Sequence, residues 1–300
     1  MESLKNIGLI LRSSLSSFSR DNCLQYSAAV SFYALFSLAP TIFIAVHIAG
    51  IVISDEAVVA GVNRAFTSYF GPESSEGLML LLGNIHSKTQ NIFSLVASIL
   101  VLLFSSTNLF IQLKGTFNKI FNVRLRKGYG FTKKMIDRLT ALSIIGIMAL
   151  ALIISLFLDS MIISFSEFLS NQFTFFPVLT VSIAGNLFVF LIVFLAVLLL
   201  YSLLPDIKTA WPPVLKGSLV TALLLIKGKI LIGWIISMNS VTELNGASGS
   251  VIVLMLWIYY SSAILFFGVE LVKTQLKALA KGITPNKYAI AIRHIRVDEN

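Results

Sequence analysis

Cysteine is nearly missing from these 300 residues: Cys23 stands alone, which excludes an internal disulfide and any cysteine-based metal cluster. Histidine is almost as scarce. His47, His86 and His294 form no ligand spacing, so no metal and no other cofactor is expected. Charge is sparse as well: 12% of residues are charged and 56% hydrophobic, where an average soluble protein has roughly 25% charged. A soluble fold of this size has too much surface to hide that much apolar material, because area grows nearly as fast as mass. Lipid is therefore the solvent for most of the chain. The sequence contains no Gly-rich loop that would cradle phosphates, which argues against a nucleotide-driven pump on this chain. A cleavable signal is not evident either. The first long apolar run follows Arg20 and Asp21 and far exceeds a signal's apolar core, so it reads as a first membrane crossing.

What the chain has instead is long apolar runs. A crossing helix needs about 20 mostly apolar residues, since the hydrocarbon core is about 30 Å thick and each residue rises 1.5 Å. Six runs qualify, at 28–53, 91–113, 139–163, 177–204, 214–238 and 248–272. A membrane β-barrel would alternate over segments of about ten residues, whereas these runs are continuous. The expected fold is all-α, a polytopic bundle of six transmembrane helices forming a single domain over 1–300. Within it, 1–26 is an amphipathic segment, 27–272 the bundle and 273–300 a basic tail.

Orientation follows from Lys and Arg outside the runs or at their ends. Nineteen lie in the amino-terminal segment, the loops after the second and fourth runs, the first turn of the fifth run (Lys216) and the tail. Only Arg64 and Lys88 lie on the opposite side, so both ends are expected in the cytoplasm. The same bias accounts for the net charge of +9 without nucleic acid as a partner. Between residues 4 and 18, Leu4, Ile7, Leu11, Leu15 and Phe18 fall on one helical stripe, the pattern of a helix lying on the membrane surface. A polar helix packed on the bundle is an equal alternative. In the longest external loop, 54–90, Ser54 is a candidate cap for a helix that stops at Gly71-Pro72, giving a short helical cap over the bundle.

Several stretches, taken in order, resemble the YihY/virulence factor BrkB family of bacterial inner-membrane proteins. Ser27-Ala28-Ala29-Val30-Ser31-Phe32-Tyr33, continuing to Pro40, is similar to its opening signature. Phe117-Asn118-Lys119-Ile120 and the basic run to Arg138 resemble its internal loop. Tyr201-Ser202-Leu203-Leu204-Pro205, Trp211 to Gly217, and Leu254 to Tyr260 ending in Gly268-Val269-Glu270-Leu271 resemble its last three spans. Phe121 stands where the family suggests tryptophan, and Asn245-Gly246 where it suggests Tyr-Gly. The resemblance implies a six-span inner-membrane protein without a settled activity. An old ribonuclease label in that family finds no His pair or carboxylate cluster in the polar loops here, so an enzyme is not expected.

The residues singled out for function are the polar ones set deep in the apolar runs. Lys227 and Lys229 lie in the middle of the fifth run, roughly 20 Å from its start at 1.5 Å per residue. A lysine there costs about 2.5–3.5 kcal/mol, which an anionic solute or a structural hydrogen-bond partner would offset. Tyr259, Tyr260, Ser261 and Ser262 in the sixth run lie at matching depth and are the expected partners. Glu270 is expected to pair with Lys216, and Pro40 to kink the first span, both in structural roles. The expected ligand is an anionic or amphipathic solute, including lipid. The expected partners are membrane lipids and either a second copy of the chain or an envelope protein. Scaffold and lipid-enzyme readings remain as alternatives. Reporter fusions after residues 130 and 170 are predicted to lie in opposite compartments, the first cytoplasmic; protease protection or alkylation checks this.

Overall fold

The computed structural model describes residues 2–49, 59–61, 63–64, 67, 92–126, 130, 135–140, 143, 177–238, 247–279 and 282–292, and it is mostly helical. Helix α1 (Glu2–Arg20) ends in a tight corner from which α2 (Cys23–Ala49) departs. Asn22 turns that corner at φ 53°, a left-handed conformation that asparagine tolerates better than most side chains. Helix α3 (Ile92–Ile120) stops the same way at Asn122, φ 55°, and runs into a short strand β1 (Val123–Leu125). Then come α4 (Pro177–Leu203), α5 (Trp211–Met238), α6 (Ala247–Ala278) and β2 (Ala289–Ala291). Prolines open α4 and sit in the first turn of α5, where backbone N–H groups have no helical partner to lose. Helix α2 passes through Pro40 as continuous helix.

Helices α2 to α6 fall on five of the six apolar runs. The run 139–163 lies almost wholly outside the described residues, as does most of the 54–90 cap. Within α6, Val251–Ala278 is long and apolar enough to cross a membrane. Helix α6 is the centre of the packing, touching α1, α2, α3 and α5, while α2 packs on α3 and α4 on α5.

The core is apolar, with Phe117, Ile120, Leu254 and Phe266 buried, but unlike in a soluble protein the outside is apolar too. Leu215, Leu219 and Leu223 line the outside of α5 at four-residue intervals, as Leu187, Leu191 and Leu195 do on α4. Phe32 and Phe36 are exposed on α2. Inside lie Ser27, Ser31 and Ser37 of α2, Thr221 of α5 and Ser262 of α6. Four of these hydroxyls donate to carbonyls of their own helix at 2.8 Å. Contiguous apolar outsides of this extent belong against lipid.

Two features depart from the expected architecture. The fold is not purely helical, because β1 and β2 pair antiparallel with Arg124 opposite Ile290. Within the segment expected as a tail, α6 continues to Ala278 and 282–292 folds back as a strap. Lys208 N–H donates to Thr284 O (2.8 Å), Arg126 N–H to Tyr288 O (2.9 Å) and Ile292 N–H to Asn122 O (2.8 Å). Hydropathy missed the strap because backbone pairing leaves no apolar signature.

Glycines set how closely α5 and α6 approach. A Cβ on Gly217 would fall on Val272, and one on Gly268 on the Thr221 and Tyr201 hydroxyls. Gly268→Val is predicted to cost about 1–3 kcal/mol or more through overpacking. Gly115→Ala meets no neighbouring atom and is predicted to be neutral. Thermal unfolding of the detergent-solubilised variants separates the two.

Candidate functional site at the basic end of the bundle

The carboxyl ends of α3, α4 and α6, the amino end of α5 and the α1–α2 corner gather at one end of the bundle. Phe117 of α3 meets Tyr201 of α4 and Phe266 of α6 edge-on, with ring centroids 5.8 and 6.0 Å apart. The Tyr201 hydroxyl donates to Leu265 O (2.7 Å) and lies 2.9 Å from Thr221 Oγ1. Three helices are thus tied to α6 through one buried phenol, which needs such a partner when taken from water.

Just outside this ring cluster sits Asp206, 3% exposed, in the turn after α4. Asn118 Nδ2 donates to its Oδ2 (2.9 Å), while Asp206 N–H donates back to Asn118 Oδ1 (2.8 Å). Asn286 of the strap donates to Oδ1 (3.0 Å), and Lys114 Nζ stands 3.1 Å from the same oxygen. Lys114 also binds Asp137 at 2.5 Å. One carboxylate therefore joins α3, the α4–α5 turn and the strap. Removing one side of such a buried pair leaves a stranded charge and costs about 3–5 kcal/mol.

A second charged group ties the α1–α2 corner to α6. Lys273, 2% exposed, binds Asp21 at 2.5 Å and Glu270 Oε2 at 3.2 Å. Ser14 Oγ donates to Thr274 Oγ1 (3.1 Å), and Phe18 packs edge-on against Phe267. Burial alone would raise the Asp21 carboxyl. Hydrogen bonding with Glu270, the Lys273 ammonium and nearby Arg20 outweigh it and hold Asp21 below the ordinary carboxylate value. Between α2 and α3, Lys119 Nζ donates to the Tyr26 hydroxyl (2.9 Å).

The Glu270–Lys216 pair expected from the sequence is corrected. Glu270 is fully buried and pairs with Lys273 one turn along its own helix, while Lys216 is exposed. Helix α5 meets α6 through Gly217 and Thr221, and Lys216, one residue from Gly217, is turned about 100° away. Lys227 is exposed on α5, below Leu223 in the outward stripe. The Lys229 side chain lies outside the described residues. Between them, Gly228 is covered by Tyr260, whose ring and hydroxyl occupy the space a Cβ would take. Tyr259 is half-buried and Ser262 is buried within the bundle. The structure therefore brings Tyr260 to the lysine-bearing stretch, and Ser262 to the inside of α6.

Of the polar groups that organise this end, Lys114 and Lys273 enter the sequence reading only through their charge, and Asp206, Asn118 and Asp21 are not singled out there as site residues. Two were flagged only indirectly: Asn118 lies within the quoted motif Phe117 to Ile120, and Asp206 directly follows the one ending at Pro205. A carboxylate beside a proline at the exit of an apolar run was the available signal. Among the described residues, no three His, Cys, Asp or Glu side chains gather closely enough to hold a metal. The carboxylates present are engaged with lysines and amides, so this end works as a clamp.

A mostly helical chain with hydroxyls inside, leucines outside and a crossing-length α6 is a helical membrane protein. It matches the model of the Virulence factor BrkB family over residues 14–286, and it belongs to that family. It is also similar to a UPF0761 membrane protein of Saccharophagus degradans (strain 2-40), 23% identical over 264 residues. That match covers 86% of this chain and 57% of the relative, so the chain spans little more than half of that protein's length. No solved structure gives a significant match.

The lowered pKa of Asp21 fixes a sign. Its stabilisation is complete above the unfolded value of about 3.9 and is lost as pH falls through the lower folded value. Below about pH 4 the difference in thermal midpoint between the wild type and Asp21→Asn is thus predicted to close. A gap that widens over that acid range would oppose the assignment.

Proposed function

We propose that this is a multi-pass bacterial inner-membrane protein with six crossings and both termini in the cytoplasm, which binds and moves an anionic amphiphile, foremost a phospholipid. The topology rests on nineteen cationic residues against two across the six apolar runs, with family membership in support. The ligand class rests on Lys227. It is exposed in line with Leu215, Leu219 and Leu223, about 24 Å from the start of α5 at Trp211. An ammonium at that depth facing hydrocarbon costs about 2.5–3.5 kcal/mol unless an anion meets it. A phosphate group on an amphiphile supplies that anion, and its acyl chains suit the leucines beside it. The Tyr260 hydroxyl over Gly228 is a neighbouring hydrogen-bond group. The outward orientation of Lys227 moves the reading from a cavity inside the bundle to a track along its outer face. Catalysis has no part in it.

A scaffold role is the second reading, favoured by Arg124, Arg126, Lys208 and Lys287, which are exposed on and beside the strapped end. Such a surface suits an acidic protein or anionic lipid. The two readings separate by mutation. On the first, Lys227→Ala and Lys229→Ala each weaken anionic-lipid binding about tenfold, about 1.4 kcal/mol, without lowering expression, and Lys227→Arg retains it. Native mass spectrometry of the purified protein with phosphatidylglycerol reads the effect. Unchanged binding in both alanine variants removes the ligand assignment. A greater loss of function on charge reversal at Arg124, Arg126 and Lys127 favours the scaffold.

A further inference from the structure

Helix α1 has its faces distributed in an unexpected way. Two of its serines face the bundle, Ser14 fully buried and Ser17 nearly so, with Ser14 bonded to Thr274 of α6, while Ser13, Ser16 and Ser19 are exposed. Its leucines point out: Leu11 is 43% and Leu15 62% exposed, on one flank a helical turn apart, and Leu9 is 64% exposed. Arg12 is exposed one turn before Leu15 on the same side of the helix, and Ser13 is exposed on the opposite flank. Phe18 against Phe267 and Asp21 against Lys273 fix the rotation of the helix, so α1 cannot roll to hide its leucines. A helix packed on a protein in water buries its leucines, whereas here Leu9, Leu11 and Leu15 are exposed while Ser14 and Ser17 are buried. This arrangement repeats the sorting seen on α2 and α5, where small hydroxyls face inward and large apolar groups outward. On α2, Leu24 in the first turn is exposed, as are Phe32 and Phe36 further along.

We propose that α1 is a membrane-embedded flank of the bundle, with Leu11 and Leu15 inserted among the acyl chains of the leaflet beside the basic end and Arg12 set against anionic headgroups. The occupant of this face is lipid, because the face extends the lipid-facing surface of α2 and carries cationic charge beside its apolar flank. Helix α1 is then held from two sides, by its serines and Asp21 on α6 and by its leucines in the leaflet. The site is separate from Lys227, so the two can fail independently.

The test uses the full chain in proteoliposomes with spin labels at Leu15→Cys and, as a water-side reference, Ser13→Cys. Cys23 is buried, which leaves the introduced thiol as the reactive one. Power saturation is read with oxygen, which partitions into hydrocarbon, and with a neutral nickel chelate, which stays in water. The Leu15 label is expected to be relaxed several-fold more by oxygen than by nickel, and the Ser13 label the reverse. Adding phosphatidylglycerol to phosphatidylcholine vesicles is expected to deepen the Leu15 label, and Arg12→Gln to abolish that response. Lys227→Ala is expected to leave all of this unchanged. Nickel accessibility at Leu15 equal to that at Ser13 overturns the proposal. Shielding from both reagents overturns it too, since a second copy or another protein would then cover the flank. A deepening that survives Arg12→Gln overturns the headgroup assignment.

Discussion

With lipid against an apolar outside, burying Phe117, Leu254, Phe266 and Leu276 between these helices gives little net pull. Lipid chains solvate a leucine as well as another helix does, so association in a bilayer relies on close backbone approach and on polar groups that have no better partner. That constraint explains why the tightest contacts involve Gly217 and Gly268, and why Tyr201 reaches both Thr221 and the Leu265 carbonyl. It also explains the hydroxyls bonded back to their own helices, which occupy the interior without demanding a specific neighbour.

Specificity of assembly is then concentrated at the basic end. Asp206 and Lys273 each join several chain segments that hydropathy treats as unrelated, and both are almost completely buried. Buried charges gain little net stability, since desolvation offsets attraction, but a mispaired one is severely penalised. Such groups select one arrangement of α3, α4, α6 and the strap over others of similar apolar packing. With the strap laid across it, this end is where Asp206 and Lys273 tie separate chain segments together. The outward face of α5, with Lys227 among leucines, carries no such clamp.

The resemblance to the BrkB family acquires a physical meaning in this light. The motifs that suggested it are scattered through the sequence, yet Phe117, Asn118, Tyr201, Gly217, Gly268 and Glu270 all meet at or near the clamp. They are the residues that decide how the helices join. Lys227 and Lys229, the residues that first drew attention as a site, lie apart from that cluster. The clamp and any ligand track along α5 are accordingly different parts of the molecule.

The sequence by itself determined the solvent, the helical class and the positions of the long helices, because each depends on local composition: twenty or so apolar residues make a crossing-length helix whatever they pack against. The asparagines that end α1 and α3 act locally too, through their own backbone angle. Only the tertiary structure decided which way each helix faces. It paired Glu270 with Lys273 and not Lys216, turned Lys227 outward, seated α1 on its serines, and folded 282–292 back as a strap. Those outcomes depend on which surfaces approach across dozens of residues of chain. In a sequence where nearly every face is apolar, periodicity no longer distinguishes the face that meets protein from the face that meets lipid.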